Sequence, residues 1–87
     1  MTERRVAVER ETGLHARPAR AVAETAADFE ATVTVASGDR TARAESPLEL
    51  TALGVERGEE VVVRARGDDA ESALDAVADV LAGEDDS

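Results

Sequence analysis

Gly13-Leu14-His15-Ala16-Arg17-Pro18-Ala19 brings together residue types able to accept and hold a phosphoryl group. His15 is the only histidine in the chain. Imidazole is largely neutral, and so nucleophilic, near neutral pH. The segment lies where a predicted strand gives way to a predicted helix, and the first N–H groups of a helix have no partner inside it. Such a helix start, with Ala16 and Arg17 in its first turn, can cradle an oxyanion. Arg17 adds a planar fork of donors that matches phosphate oxygens. The positive helix end and the guanidinium both attract the negative charge of a phosphoryl group once it is bound. Pro18 fits the first turn, where its missing N–H removes no intrahelical bond. Gly13 permits a positive-φ approach to the histidine.

The flanking pattern supplies the elements that must position these groups. Arg5 to Glu9 alternates, with Val6 and Val8 on one face, and predicts a first strand. Ala19, Val22, Ala23 and Ala26 recur at helical spacing from Ala16 onward, with Phe29 plugging the helix end. Ala31 to Ala36 alternates again, Val33 and Val35 facing inward. Ser37-Gly38-Asp39 is a turn signal from which Arg40 to Ala44 returns as a hairpin partner. Ser46-Pro47-Leu48-Glu49 predicts a short helix with a serine cap, proline first and a reciprocal glutamate, ended by Gly54. Glu60 to Arg66 is the strongest strand. Asp68 or Asp69 caps a last helix whose stripe is Ala70, Ala73, Leu74, Val77, Ala78 and Leu81, and Gly83 ends it. Residues 84–87 form a short acidic tail. The order β-α-β-β-α-β-α over one 87-residue domain predicts an α+β fold, helices on one face of a mostly antiparallel sheet. Order alone also fits a ferredoxin-like domain with an added helix.

Composition narrows the function classes. Twenty carboxylates face ten cations, all arginine, for a net charge of −10. That charge repels nucleic acid and anionic lipid, so neither is an expected partner. Without cysteine there is no disulfide or thiolate metal site. No apolar stretch approaches the roughly 18 residues that span a bilayer, and no signal-peptide pattern precedes the first strand, so a cytoplasmic location is expected. The lack of lysine and the acidic excess suggest a halophilic archaeon, whose chain folds cooperatively only at high ionic strength. An acidic protein of a high-GC bacterium is the alternative.

Read as G-L-H-A-R-P-A, the segment closely resembles the active-site motif of the HPr family, histidine-containing phosphocarriers of the phosphoenolpyruvate-dependent sugar phosphotransferase system. The match of motif spacing and element order extends over essentially the whole chain. The resemblance implies an open-faced β-sandwich, a four-stranded antiparallel sheet covered on one face by three helices. It implies a phosphoryl group on Nδ1 of His15, stabilised by Arg17. The protein is then a carrier rather than a self-contained enzyme, taking the group from phosphorylated Enzyme I and passing it to a sugar-specific Enzyme IIA. No cofactor or metal is implied, and the family is usually monomeric. Partner docking carried over by position falls on Thr12, Ala16, Arg17, Arg20, Ala27, Pro47, Leu48, Thr51 and Val55; core packing is the other reading of Leu48. Glu24 and Glu49 are acidic where relatives often carry lysine. Ser46 matches a regulatory phosphorylation site of some members, although Glu45, Pro47 and Glu49 surround it and its cap role accounts for it fully. Specialised carriers share the same motif, for fructose, nitrogen regulation or a dihydroxyacetone kinase subunit. A small regulatory binding module without phosphotransfer is the reading from a different class.

Overall fold

The computed structural model describes residues 2–83, so the acidic tail lies outside the described residues. The elements run β1 (Thr2–Ala7), α1 (Ala16–Ala27), β2 (Thr32–Ser37), β3 (Arg40–Arg43), α2 (Pro47–Ala52), β4 (Glu60–Arg66) and α3 (Ala70–Ala82). The four strands form one sheet in the order β1-β4-β2-β3, with every neighbouring pair antiparallel. Helix α3 packs across β1, β4 and β2, α1 packs on α3 and α2, and α2 packs on β3. This is the expected open-faced sandwich.

Period-2 patterning decides which face of the sheet is dry. Val61, Val63 and Ala65 of β4 are buried, as are Val33 and Val35 of β2 and Val6 of β1. They meet the stripe Ala19, Val22 and Ala26 of α1 and Leu74, Val77 and Leu81 of α3 in one core. Small alanines let the helices approach the sheet closely, and the larger Leu14, Leu50 and Leu81 fill the ends of the layer with no exposed surface. Val80 is also buried although the α3 stripe did not include it, and Ala70 is only partly covered.

Local chemistry accounts for several boundaries. Ser46 adopts extended dihedrals and its hydroxyl accepts from the Glu49 N–H at 3.2 Å, with Pro47 first in α2. Gly83 sits at φ +79, left-handed, and stops α3. The turn between β2 and β3 places Gly38 at φ +61 in its first central position, as a tight hairpin requires.

Three expectations are corrected by pairing that local pattern does not reveal. Strand β1 begins three residues earlier than its alternation indicated, because Thr2, Glu3 and Arg4 pair with Ala65, Arg64 and Val63 of β4. Regular pairing ends at Ala7, while Val8 still donates to the Glu59 carbonyl and accepts from Gly58 N–H. Asp69 precedes α3 but makes no side-chain cap; its carboxylate accepts from the Glu30 N–H at 2.8 Å instead and ties the α1–β2 connection to the β4–α3 loop. Glu49 likewise does not return to the Ser46 N–H. Its two oxygens accept from the backbone N–H and the guanidinium of Arg43 at 2.7 to 2.9 Å, joining α2 to β3.

The Arg43 contact, first by its side-chain hydrogen bonds and then by its backbone N–H, holds the Glu49 carboxyl below the ordinary carboxylate range. A carboxyl lowered in the folded state adds stability above the unfolded carboxylate range, and that increment disappears as pH falls through the lowered value. An NMR titration of Glu49 is expected to give a midpoint below that of a free glutamate. Arg43→Gln is expected to raise it toward the free value, and an unchanged midpoint would remove Arg43 as the cause.

Candidate functional site

Two residues before His15, the chain is clamped. Gly13 lies at φ +67 against the loop between α2 and β4; a Cβ there would sit 2.4 Å from the Val55 carbonyl oxygen and 2.7 Å from the Glu56 Cα. Only glycine tolerates both the dihedral and the approach. Leu14 follows, fully buried, and its N–H donates to the same Val55 carbonyl at 3.0 Å. His15 therefore leaves a fixed point in the core, half-buried, with extended dihedrals at the N-cap of α1. Its ring makes no cap hydrogen bond. Both ring nitrogens are left for a group arriving from outside.

The first turn of α1 differs from an ordinary helix start. Ala16 has φ +52, the only positive-φ non-glycine among the described residues. A left-handed alanine costs about 1 kcal/mol, and it persists because Leu14 anchors one side and the buried α1 stripe the other. The chain thus reverses sharply between the histidine and the helix, and the regular right-handed turn begins only after Ala16. Pro18 sits third in the helix, where no intrahelical N–H bond is lost.

Arg17 is exposed and has no ion pair among the described residues, whereas five other arginines hold a carboxylate. In a chain with two acids per arginine, a guanidinium kept without a carboxylate beside the sole histidine is available to an incoming anion. Arg20, one turn on, carries a 3.6 Å pair with Glu24.

The structure brings six of the expected docking residues together. Ala16, Arg17 and Arg20 from α1, with Pro47, Leu48 and Thr51 from α2, line an open groove of about 770 Å³. Leu48 is 80% exposed, the one large hydrophobic side chain left in solvent among the described residues, so the core-packing reading of it is set aside. Val55 is corrected in the other direction. It is 1% exposed, and only its carbonyl, already used by Leu14, faces the site. Thr12 and Ala27 are exposed but lie outside the groove, Ala27 in the last turn of α1. Two contributors escaped sequence reasoning. One is the Val55–Glu56 backbone against Gly13, for which nothing but that glycine is a signal; the other is the dihedral of Ala16, for which there is none.

The geometry can be set beside known proteins. A model of the PTS-HPr family, described as the PTS HPr component phosphorylation site, matches residues 2–83. The chain is 51% identical over 81 residues to the phosphocarrier protein HPr of Haloferax volcanii, covering 91% of each. It is 39% identical over 75 residues to the phosphocarrier protein NPr of Shewanella violacea, covering 86% of this chain and 82% of that one. Among solved structures, HPr-C-His from Thermoanaerobacter tengcongensis superposes with a TM-score of 0.91 at 34% identity, covering 97% of this chain and 94% of the other.

Proposed function

Since this chain belongs to the HPr family of phosphocarriers, we propose that it carries its phosphoryl group on Nδ1 of His15, held by Arg17. The observation that carries the assignment is the only histidine, its ring without a cap bond, two residues before an arginine that has no ion pair among the described residues and lines a groove with an exposed leucine. A ring nitrogen forms the N–P bond as the bond between phosphorus and the donor breaks, and the donor leaves with its electron pair. The same exchange, with His15 as leaving group, passes the phosphoryl group on. Arg17 supplies fixed charge to the phosphate oxygens in both steps. A site open to solvent and holding one arginine binds the group loosely enough to release it.

Enzyme I is the proposed donor and a sugar-specific Enzyme IIA the proposed acceptor, in the cytoplasm, with the protein acting as a relay component and no cofactor of its own. The groove suits them, since it is lined by an apolar anchor, Leu48, and by Arg17 and Arg20 of the helix whose N-cap is His15. No helix among the described residues is long and apolar enough to cross a membrane. The match to a protein named NPr keeps a pathway-specific carrier as the second reading. For Ser46 we retain the helix cap, because its hydroxyl is already engaged by the Glu49 N–H.

The test is intact-protein mass in non-acidic buffer after incubation with phosphoenolpyruvate and the host's own Enzyme I at high salt. One acid-labile phosphoryl group is expected. None, with Enzyme I shown to phosphorylate itself, overturns the carrier reading. Leu48→Ala should raise the KM for Enzyme I about tenfold with kcat little changed, as loss of an exposed apolar anchor would. Unfolding should be unaffected, because the side chain is already in water; an unchanged KM would remove Leu48 from the docking surface.

A further inference from the structure

The three helices cover one face of the sheet, and the other is bare. The register places Arg66 of β4 opposite Thr32 of β2 and Arg64 opposite Thr34, all on this outer face. These four side chains, with Ala65, line a recess of about 150 Å³. That is room for a small tetrahedral anion and little more. We propose that this recess is an oxyanion site, taking a phosphate-sized group in the forks of Arg64 and Arg66 with the two threonine hydroxyls as further donors.

Acids outnumber arginines two to one, yet the Arg66 side chain has no ion pair or hydrogen bond among the described residues. Arg64 gives only its Nε, at 2.9 Å, to Glu3 of the edge strand, which leaves its terminal N–H groups for a ligand. Glu3 on Arg64 and Glu45, which lines the adjoining pocket with Thr32, are carboxylates near the recess, and together with the net charge they keep affinity low. Arg43, across Thr34 on β3, is engaged by Glu49 and adds no free donor. Selectivity then comes from geometry: two planar forks and two hydroxyls match a tetrahedral oxyanion and give a spherical halide no directed bonds. The ligand is either a free inorganic anion or the phosphate of a monoester. The site is separate from His15, which lies at the start of α1 on the helical side, and it does not depend on the carrier reading.

The experiment is an amide NMR titration of the full chain with inorganic phosphate and, separately, glycerol phosphate, at constant ionic strength set by potassium chloride. Saturable shifts at Thr32, Thr34 and Arg66 are expected. They should persist in His15→Ala and weaken at least about tenfold in Arg66→Lys, which keeps the charge and removes the fork. Response to phosphate alone assigns a free anion, and response to the ester assigns a phosphomonoester. Equal shifts from chloride, no saturable shift with either anion, or indifference to Arg66→Lys would each overturn the proposal. Because the Arg66 side chain is exposed and without a partner among the described residues, the variant is expected to keep the wild-type fold, which the spectrum itself reports.

Discussion

His15→Ala is expected to take up no acid-labile phosphoryl group under conditions that load the wild type fully. The effect is all or none because the chain contains no second histidine to substitute for it. The variant should nonetheless fold. Replacing an N-cap residue usually costs about 1 kcal/mol because a side-chain hydrogen bond to the helix is lost, and here none exists. The expected loss of stability is therefore below about 0.5 kcal/mol, as for an ordinary surface change. That separation makes the experiment decisive: native unfolding with no phosphorylation assigns the chemistry to the imidazole. Acid-labile phosphate on the variant would move it to another residue. Arg17→Ser, run beside it, should keep the group but accept it more slowly, since the histidine is intact and only the fixed charge is removed.

Gly13→Ala is expected to be the most damaging small substitution in the site. The added methyl would meet backbone atoms at 2.4 and 2.7 Å, neither of which can swing aside as a flexible side chain would. Added to the dihedral cost of an alanine at φ +67, the overlap should destabilise by about 3 kcal/mol or more. Gly38→Ala is the matched control. Its φ is +61, but nothing lies within 4 Å of the new methyl, so it should lose only about 1 kcal/mol, the conformational part alone. Denaturant unfolding of the two variants separates overlap from dihedral strain, and equal losses would show that the approach to Val55 is not tight. If the loop instead yields, the Leu14 N–H bond to Val55 lengthens and His15 shifts with it. Phosphoryl transfer would then fall by about tenfold or more even in a folded protein, because reactivity depends on ångström-scale placement.

Much of this architecture is legible in the sequence because it rests on interactions a few residues apart. The α1 stripe, the β4 alternation, the Ser46 cap and the Gly83 stop each follow from periodicity or a single dihedral requirement, and each stands where the pattern put it. The His15–Arg17 spacing is equally local. What failed was set by partners on other elements. The start of β1 depends on β4 and the Asp69 carboxylate on the Glu30 N–H, both far along the chain, while the Glu49 carboxylate turns to Arg43, six residues back on β3. The same holds at the groove, where Leu48 and Val55 are apolar residues of similar prospects in the sequence. Packing left one in water and sealed the other.

The sequence by itself determined the element order and the dry face of the sheet and singled out the proposed nucleophile and its arginine, since residue type and spacing carry those. Tertiary structure alone decided that Gly13 is clamped by the α2–β4 loop, that Ala16 turns left-handed between two anchors, and that α1 and α2 close on a common groove. Those features depend on surfaces meeting across long stretches of chain. No local pattern encodes that meeting, because it is the packing of the whole domain that overcomes the local cost.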